Sequence, residues 1–259
     1  TASGTEALTS NTTGNENTAT GYFSLKFNTT GHSNTASGYS ALRQSTTAIQ
    51  NSAFGHLSLF NNTTGTGNTA SGYRSLQVNT TGYSNTASGF QVLYSNTTGA
   101  SNVAVGYEAL YGNTSGHNSV AVGRGALKSQ TTTYENTAVG YNAGTTVTNG
   151  NNALFGAYAG TSLTSGGTNC FYGWSAGRLS TTSSSNTAFG YQSLYSNTTG
   201  TKNIALGNTA GDAITTGSNN TIIGDLPGST TLADTILIAA GTTERLKVNS
   251  TGLYINGTL

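Results

Sequence analysis

Apolar and polar positions recur along this chain on a fixed beat. The glycine that closes an Asn-Thr-Ala-x-Gly segment returns at Gly4, Gly21, Gly38, Gly55, Gly72, Gly89, Gly106, Gly123 and Gly140, seventeen residues apart. One step is a residue short, to Gly156, and the beat resumes at Gly173, Gly190, Gly207, Gly224 and Gly241. Two residues before the glycine lies a column of Ala19, Ala36, Ala53, Ala70, Ala87, Ala104, Ala121 and Ala138, interrupted later by Leu154, Phe171 and Ile222. Four residues after it lies a second column, Leu8, Leu25, Leu42, Leu59, Leu76, Leu93, Leu110, Leu127 and Leu194. A period of this kind dictates the architecture ahead of any local element.

Helix-turn-helix repeats need about 30 residues or more, and leucine-rich repeats start at about 20. A glycine-bearing turn in every unit would break helices in any case. The pattern therefore predicts an all-β fold, a parallel β-solenoid (β-roll) of 17-residue coils, with short strands joined by tight turns. Successive coils stack at the strand spacing of about 4.8 Å. Asn-Thr-Thr-Gly, as at Asn11, Asn28, Asn62, Asn79, Asn96 and Asn197, is a turn signal, because Asn bonds its own backbone and Gly takes positive φ. The Asn of Asn-Thr-Ala recurs from Asn17 to Asn220 and predicts a stacked amide ladder. The thin coil suits alanine inside, with the leucines filling the interior opposite.

The residue just before the glycine changes character along the chain. It is Ser37, Ser71 and Ser88 early, then Val105, Val122, Val139, Phe155, Tyr172, Phe189, Leu206 and Ile223. Asn-Val-Ala-Val-Gly at Asn102 is apolar on both strand faces, as expected of a strand buried on both sides. One face is the coil interior, so the other is expected to meet sister chains. The expected interface residues are Val105, Val122, Val139, Phe189, Leu206 and Ile223, in a trimer-like homo-oligomer. A stripe of that extent exceeds what a soluble monomer usually exposes.

The shaft is expected over residues 1–224. After Gly224 the Asn-Thr-Thr-Gly turn is lost and Pro227 breaks the pattern. Residues 233–240 read as a strand, with Leu246-Lys-Val and Leu253-Tyr-Ile as two more. Residues 225–259 are thus expected to cap the stack and fasten the chains together. The charges of Asp225, Asp234, Glu244, Arg245 and Lys247 gather here, as a solvated rim or as interchain ion pairs.

Composition narrows the partners. Only 7% of the 259 residues are charged and the net charge is +1, so nothing favours nucleic acid or an anionic membrane electrostatically. No apolar run approaches the roughly 20 residues of a membrane span. Cys170 is alone, which excludes an intrachain disulfide and reads as a buried thiol. The chain opens in mid-repeat without a methionine, as a fragment or processed product would.

Candidate chemistry is sparse. Gly173-Trp-Ser-Ala-Gly177 matches a nucleophile elbow, but it falls on the ordinary repeat where Gly140-Tyr-Asn-Ala-Gly144 is equivalent. His32, His56 and His117 follow no metal-ligand spacing, the acids form no convincing pair, and Gly65-Thr-Gly67 lacks a dinucleotide setting. No catalytic residue, metal ligand or cofactor is expected. Tyr22, Tyr39, Tyr73, Tyr107 and Tyr141 follow the glycine and are either lateral packing or contacts for a glycan, since tyrosine offers both an apolar face and a hydroxyl. Thr18, Thr35, Thr69 and Thr86 form a column that could order water, broken by Ser52 and ending in Val103 and Val120.

Two resemblances rest on these motifs. Asn102-Val-Ala-Val-Gly106, Ser119-Val-Ala-Val-Gly123, Asn136-Thr-Ala-Val-Gly140 and Asn203-Ile-Ala-Leu-Gly207 resemble the head repeats of trimeric autotransporter adhesins. That implies a left-handed β-roll, three chains to a head and binding to host surface ligands, although those repeats are typically shorter. The full unit, as in residues 186–200, is similar to repeats of phage tail-fibre-like proteins, and residues 244–258 look like the segment preceding an endosialidase-type intramolecular chaperone. This second resemblance implies a homotrimeric fibre, intertwined or side by side, with a cell-surface receptor or glycan as partner and a C-terminal chaperone domain removed from the mature chain. Both imply an extracellular setting, on a virion tail fibre or a bacterial surface. An ice-binding solenoid is the alternative of another class.

Overall fold

The computed structural model describes residues 1–255. Among them every regular element is a β-strand. The chain forms two compact units, Thr1–Glu135 and Asn136–Leu259, and each is a parallel β-solenoid of about 17-residue coils.

In the first unit, β1 (Ala2–Ser3), β2 (Thr18–Thr20), β3 (Thr35–Ser37), β4 (Ser52–Phe54), β5 (Thr69–Ser71), β6 (Thr86–Ser88), β7 (Val103–Val105) and β8 (Val120–Val122) pair in parallel in chain order. The register is one repeat, so that Ala36, Ala53 and Ala70 lie side by side. Each coil has a single strand of two or three residues. The rest of the coil is turn.

The reason lies after the glycine. Leu57 and Leu59 have φ of 57° and 49°, and the same two positions are left-handed in the neighbouring coils. A non-glycine residue there is strained by roughly 1–2 kcal/mol. The amides of these residues offset that cost by bonding sideways. Leu57 N–H donates to Tyr39 O of the preceding coil at 3.0 Å, and Leu59 N–H to Ser75 O of the following coil at 3.0 Å. The zigzag thus stitches each coil to both neighbours without being a strand. It also turns the leucine inward: Leu25, Leu42, Leu59, Leu76, Leu93, Leu110 and Leu127 are fully buried, as are the central alanines of β2 to β8.

The glycine before the zigzag has no substitute. At Gly72 φ is 135°, and a methyl group there would lie 2.2 Å from Gly89 O of the next coil. Coils could not stack at strand spacing around a side chain.

Two amide ladders run through the first unit. Asn34 Oδ1 accepts from the Asn51 backbone N–H at 3.0 Å and from Asn51 Nδ2 at 3.1 Å. Asn34 Nδ2 in turn donates to Asn17 Oδ1 and to Ala48 O. The second ladder uses the turn asparagines: Asn79 donates to Asn62, Asn96 to Asn79 and Asn113 to Asn96. It breaks at Ser45, where Asn28 Oδ1 and Ser45 Oγ are both buried without a hydrogen bond. Beside these ladders, the carbonyl of Thr29 receives the amides of Thr12, Thr13 and Gly14 and the Thr12 hydroxyl. The same threonine position repeats this in later coils.

In the second unit, β9 (Thr137–Val139), β10 (Ala153–Phe155), β11 (Cys170–Tyr172), β12 (Thr187–Phe189), β13 (Ile204–Leu206), β14 (Thr221–Ile223) and β15 (Ile236–Ala240) are parallel. β16 (Thr243–Asn249) and β17 (Gly252–Ile255) then add in antiparallel fashion. The three strands expected after Gly224 are therefore present, and they sit over the last coil of this unit. The sixteen-residue coil keeps strand register, with Thr137 opposite Ala153. Its missing residue falls in the corner between Val147 and Asn152, five residue steps where Asn113 to Ser119 takes six, and Asn151 keeps the left-handed φ that its equivalents Asn118 and Thr168 also have.

The interior of this unit is filled differently. Gly144, Gly160, Gly177 and Gly211 replace the leucine, and larger groups fill the space from the facing walls. A methyl group at Gly177 would lie 2.3 Å from Phe171 Cε2, and one at Gly160 would lie 3.0 Å from Leu154 Cδ2. Phe171, Leu154, Leu163 and Ile214 are fully buried. The interruptions in the alanine column thus mark an exchange of volume within the coil. Cys170 departs from expectation: it is half-buried on the outward side of β11, between Ala153 and Thr187, because only the middle residue of each strand points inward.

Candidate functional site

The outward face of the strands is built by alternation. Residues flanking the central alanine point away from the interior, so each strand presents two side chains. In the first unit these are Thr18 and Thr20, Thr35 and Ser37, Ser52 and Phe54, Thr69 and Ser71, and Thr86 and Ser88, before the pairs Val103/Val105 and Val120/Val122. In the second unit one of the two outward columns is aliphatic and aromatic throughout, while the other keeps Thr137, Thr187 and Thr221. Val139, Phe155, Tyr172, Phe189, Leu206, Ile223 and Ile238 follow one another in register. The rings of Phe155 and Tyr172 stack at 4.3 Å, and those of Tyr172 and Phe189 at 5.5 Å.

All six residues expected at an interface are on outward faces. On the single chain Phe189 is 55% exposed, Leu206 46%, Val105 38% and Ile223 37%, while Val122 and Val139 are half-buried. Val105 and Val122 belong to the first unit, and the other four to the second.

The tyrosines form a different surface. Tyr22, Tyr39, His56, Tyr73, Phe90 and Tyr107 make a continuous stack in the first unit, with centroids 5.0–5.5 Å apart and planes within 15° of parallel. The Arg124 guanidinium caps Tyr107 at 5.4 Å. Tyr141 lies in the second unit, edge-on to Tyr158 at 5.2 Å. Stacking spends the ring faces of the inner members on one another and leaves their edges and hydroxyls to solvent. His56 and Phe90 belong to this ladder as fully as the tyrosines. Reading it as a tyrosine column missed them, although their spacing from the glycine was the signal.

Other groups singled out by sequence occupy ordinary places. Ser175 of the elbow-like motif is fully buried, with φ of 56°. His32 Nδ1 lies 3.3 Å from the Ser33 hydroxyl, and His117 stacks on Tyr134 at 5.2 Å. Among the described residues no three His, Cys, Asp or Glu side chains converge as metal ligands. Among the described residues no helix is long and apolar enough to cross a membrane. Comparison with protein-family models, curated proteins and solved structures finds no match to this chain.

Of the charges near the C-terminal segment, Asp225 accepts from the Thr209 hydroxyl and Asp234 from Asn219 Nδ2. Asp212 is a half-buried carboxyl. Burial pushes it above the usual carboxylate range, backbone bonding through Ala213 opposes this, and the nearby charge of Asp225 adds to the rise. The ion pairs Lys26–Glu6 and Lys128–Glu108 bridge adjacent coils on the first unit's surface. Exposed pairs of that kind contribute about 0–1 kcal/mol.

Proposed function

We propose that this chain is a structural and adhesive fibre segment, assembled as a homotrimer and extracellular, resembling phage tail fibres or the head of a bacterial trimeric adhesin. The observation that carries the reading is the outward face of the second unit. Seven consecutive coils present Val, Phe, Tyr or a branched aliphatic side chain at one position, and soluble monomers rarely expose a contiguous patch of that kind. Copies of the same face around an axis are the simplest cover, because a cyclic assembly matches the column to itself.

The interlocked ladders support the structural half of the reading. A coil cannot open without releasing bonds to both neighbours, so the module suits a stiff, protease-resistant spacer. The adhesive half rests on the exposed hydroxyl and aromatic columns of the first unit, which suit a cell-surface glycan. Sedimentation equilibrium tests the reading: we expect three times the 26.2 kDa chain mass, and a mass of one chain at micromolar concentration overturns it.

One observation favours a second reading, ice binding. β2, β3, β5 and β6 pair an outward threonine with an outward threonine or serine at strand spacing. Thermal hysteresis in dilute solution decides for it. The interruption by Phe54 and the change to valine at β7 and β8 count against it.

A further inference from the structure

The first unit carries a second ring-bearing column, on the corner after the buried turn glycine, and this column has a gap. Its successive members are Asn15, His32, Ile49, Thr66, Tyr83, Ala100, His117 and Tyr134, and Ala100 is the ringless member with a ring on each side. The coils are in register there: the Ser101 amide donates to Tyr83 O, Asn118 to Ala100 O and Glu135 to His117 O, at 3.0–3.1 Å. Tyr83 and His117 therefore stand two coils apart, about 9.6 Å by strand spacing, with only a methyl group between them. His117 is covered on its far side by Tyr134, at 5.2 Å with planes 16° apart.

The space over Ala100 is a cavity of about 330 Å³, at the lower end of the about 300–1,000 Å³ range of small-molecule sites. Tyr83 and His117 are its walls. Thr98, Ser101, Ser115 and Asn118 also line it. None of these residues is an acid, a lysine or an arginine.

We propose that this slot binds the ring of an uncharged pyranose, inserted between Tyr83 and His117. The protein itself shows that the spacing takes a ring. In the other ladder His56 lies 5.0 Å from Tyr39 and 5.3 Å from Tyr73, so two coil steps hold a third ring between two. The rim decides what kind of ring. The hydroxyls of Thr98, Ser101 and Ser115 and the amide of Asn118 line the slot, matching a guest with apolar C–H faces and hydroxyls around its edge. A flat aromatic guest would set its apolar edge against those groups. The slot also keeps its wall faces free, which the inner members of the Tyr22–Tyr107 ladder do not. This inference deepens the adhesive reading above by naming a site and a ligand class.

The test is saturation-transfer NMR on the whole chain with methyl glycosides of glucose, galactose, mannose and N-acetylglucosamine, and with adenosine as a planar aromatic control. At least one glycoside is expected to bind in the weak, about millimolar range typical of a single small contact. Ala100→Tyr is expected to fold, because tyrosine occupies this column one coil earlier, and to weaken binding at least tenfold by filling the slot. His117→Ala, which removes one wall, should weaken the same glycoside. Transfer to none of the glycosides overturns the proposal, as does binding of adenosine alone. Glycoside binding unchanged in both variants also overturns it, by placing the sugar elsewhere. Sedimentation of the same samples separates this result from the fibre reading: a trimer that ignores pyranosides sinks the slot alone, and a monomer that binds them sinks the fibre alone.

Discussion

The two units solve one backbone with opposite allocations of bulk. In the first, the strand supplies alanine and the left-handed turn supplies leucine to the interior, and the outward face is largely hydroxyl. In the second, several coils place glycine in the turn and the bulk on the strand or the next corner, and one of the two outward columns is apolar throughout. Gly177 with Phe171 and Leu59 with Ala53 fill equivalent space. The lesson is that the hydrogen-bond scaffold fixes the fold, while the identity of the filling residue is negotiable within each coil. The outward face is then free to vary, since it takes no part in either ladder.

The sharpest way to break this comparison is to disturb the filling. Phe171→Ala should cost about 3–5 kcal/mol, the range for emptying a buried aromatic site, measured by chemical denaturation. Adding Gly177→Leu should restore more than half of the loss, because the pair recreates the first unit's Ala and Leu solution. Strict additivity of the two changes would refute the exchange of volume.

A second cut concerns the outward faces. Leu206→Asp in the second unit is expected to weaken self-association at least tenfold, about 1.4 kcal/mol, whereas Ser71→Asp in the first should leave it within twofold. Equal effects in a dilution series read by sedimentation would remove the assignment of the apolar face.

The polar ladder offers a comparison within the first unit. Turn positions with Asn carry Gly three residues later, as in Asn62 with Gly65, whereas Ser45 is followed by Ala48. A methyl group at Gly65 would lie 2.3 Å from Asn62 Oδ1, which explains the pairing. Ser45→Asn with Ala48→Gly should therefore close the ladder and stabilise by about 1–2 kcal/mol. Ser45→Asn alone should gain less, and an equal gain from the single change would show that the methyl does not matter.

The smallest effect is expected at Asp212. Its folded-state pKa is raised, so the native state holds the proton more tightly than the unfolded chain. Its contribution is favourable below the ordinary carboxylate range and is lost as pH rises through the raised value. Asp212→Asn should flatten that part of the stability–pH curve and give a small gain at neutral pH. A steeper curve would reverse the assignment.

Much of this molecule was legible before any coordinates. The period, the alanine and leucine columns, the first amide ladder and the three closing strands all follow from spacing, because a stacked coil repeats every contact. The turn was not legible. Leucine is an improbable residue at φ near 50°, and only the sideways bonds of residues such as Leu57 and Leu59 explain it. The slot at Ala100 was hidden for a related reason: its walls are ordinary residues, and the signal is a ring absent from a series. The tyrosine column was visible, but not that its inner faces are spent on neighbours, since spacing fixes position and not ring orientation.

The short coil at residues 140–155 carries a consequence for how such a chain can change over generations. Losing one residue leaves strand alignment intact because the corner takes up the slack. Whole coils, whose two ends present the same bonding pattern, should be still easier to gain or drop by duplication and deletion. Reach can then be lengthened or trimmed in small steps while the decoration of the remaining surface stays as it was.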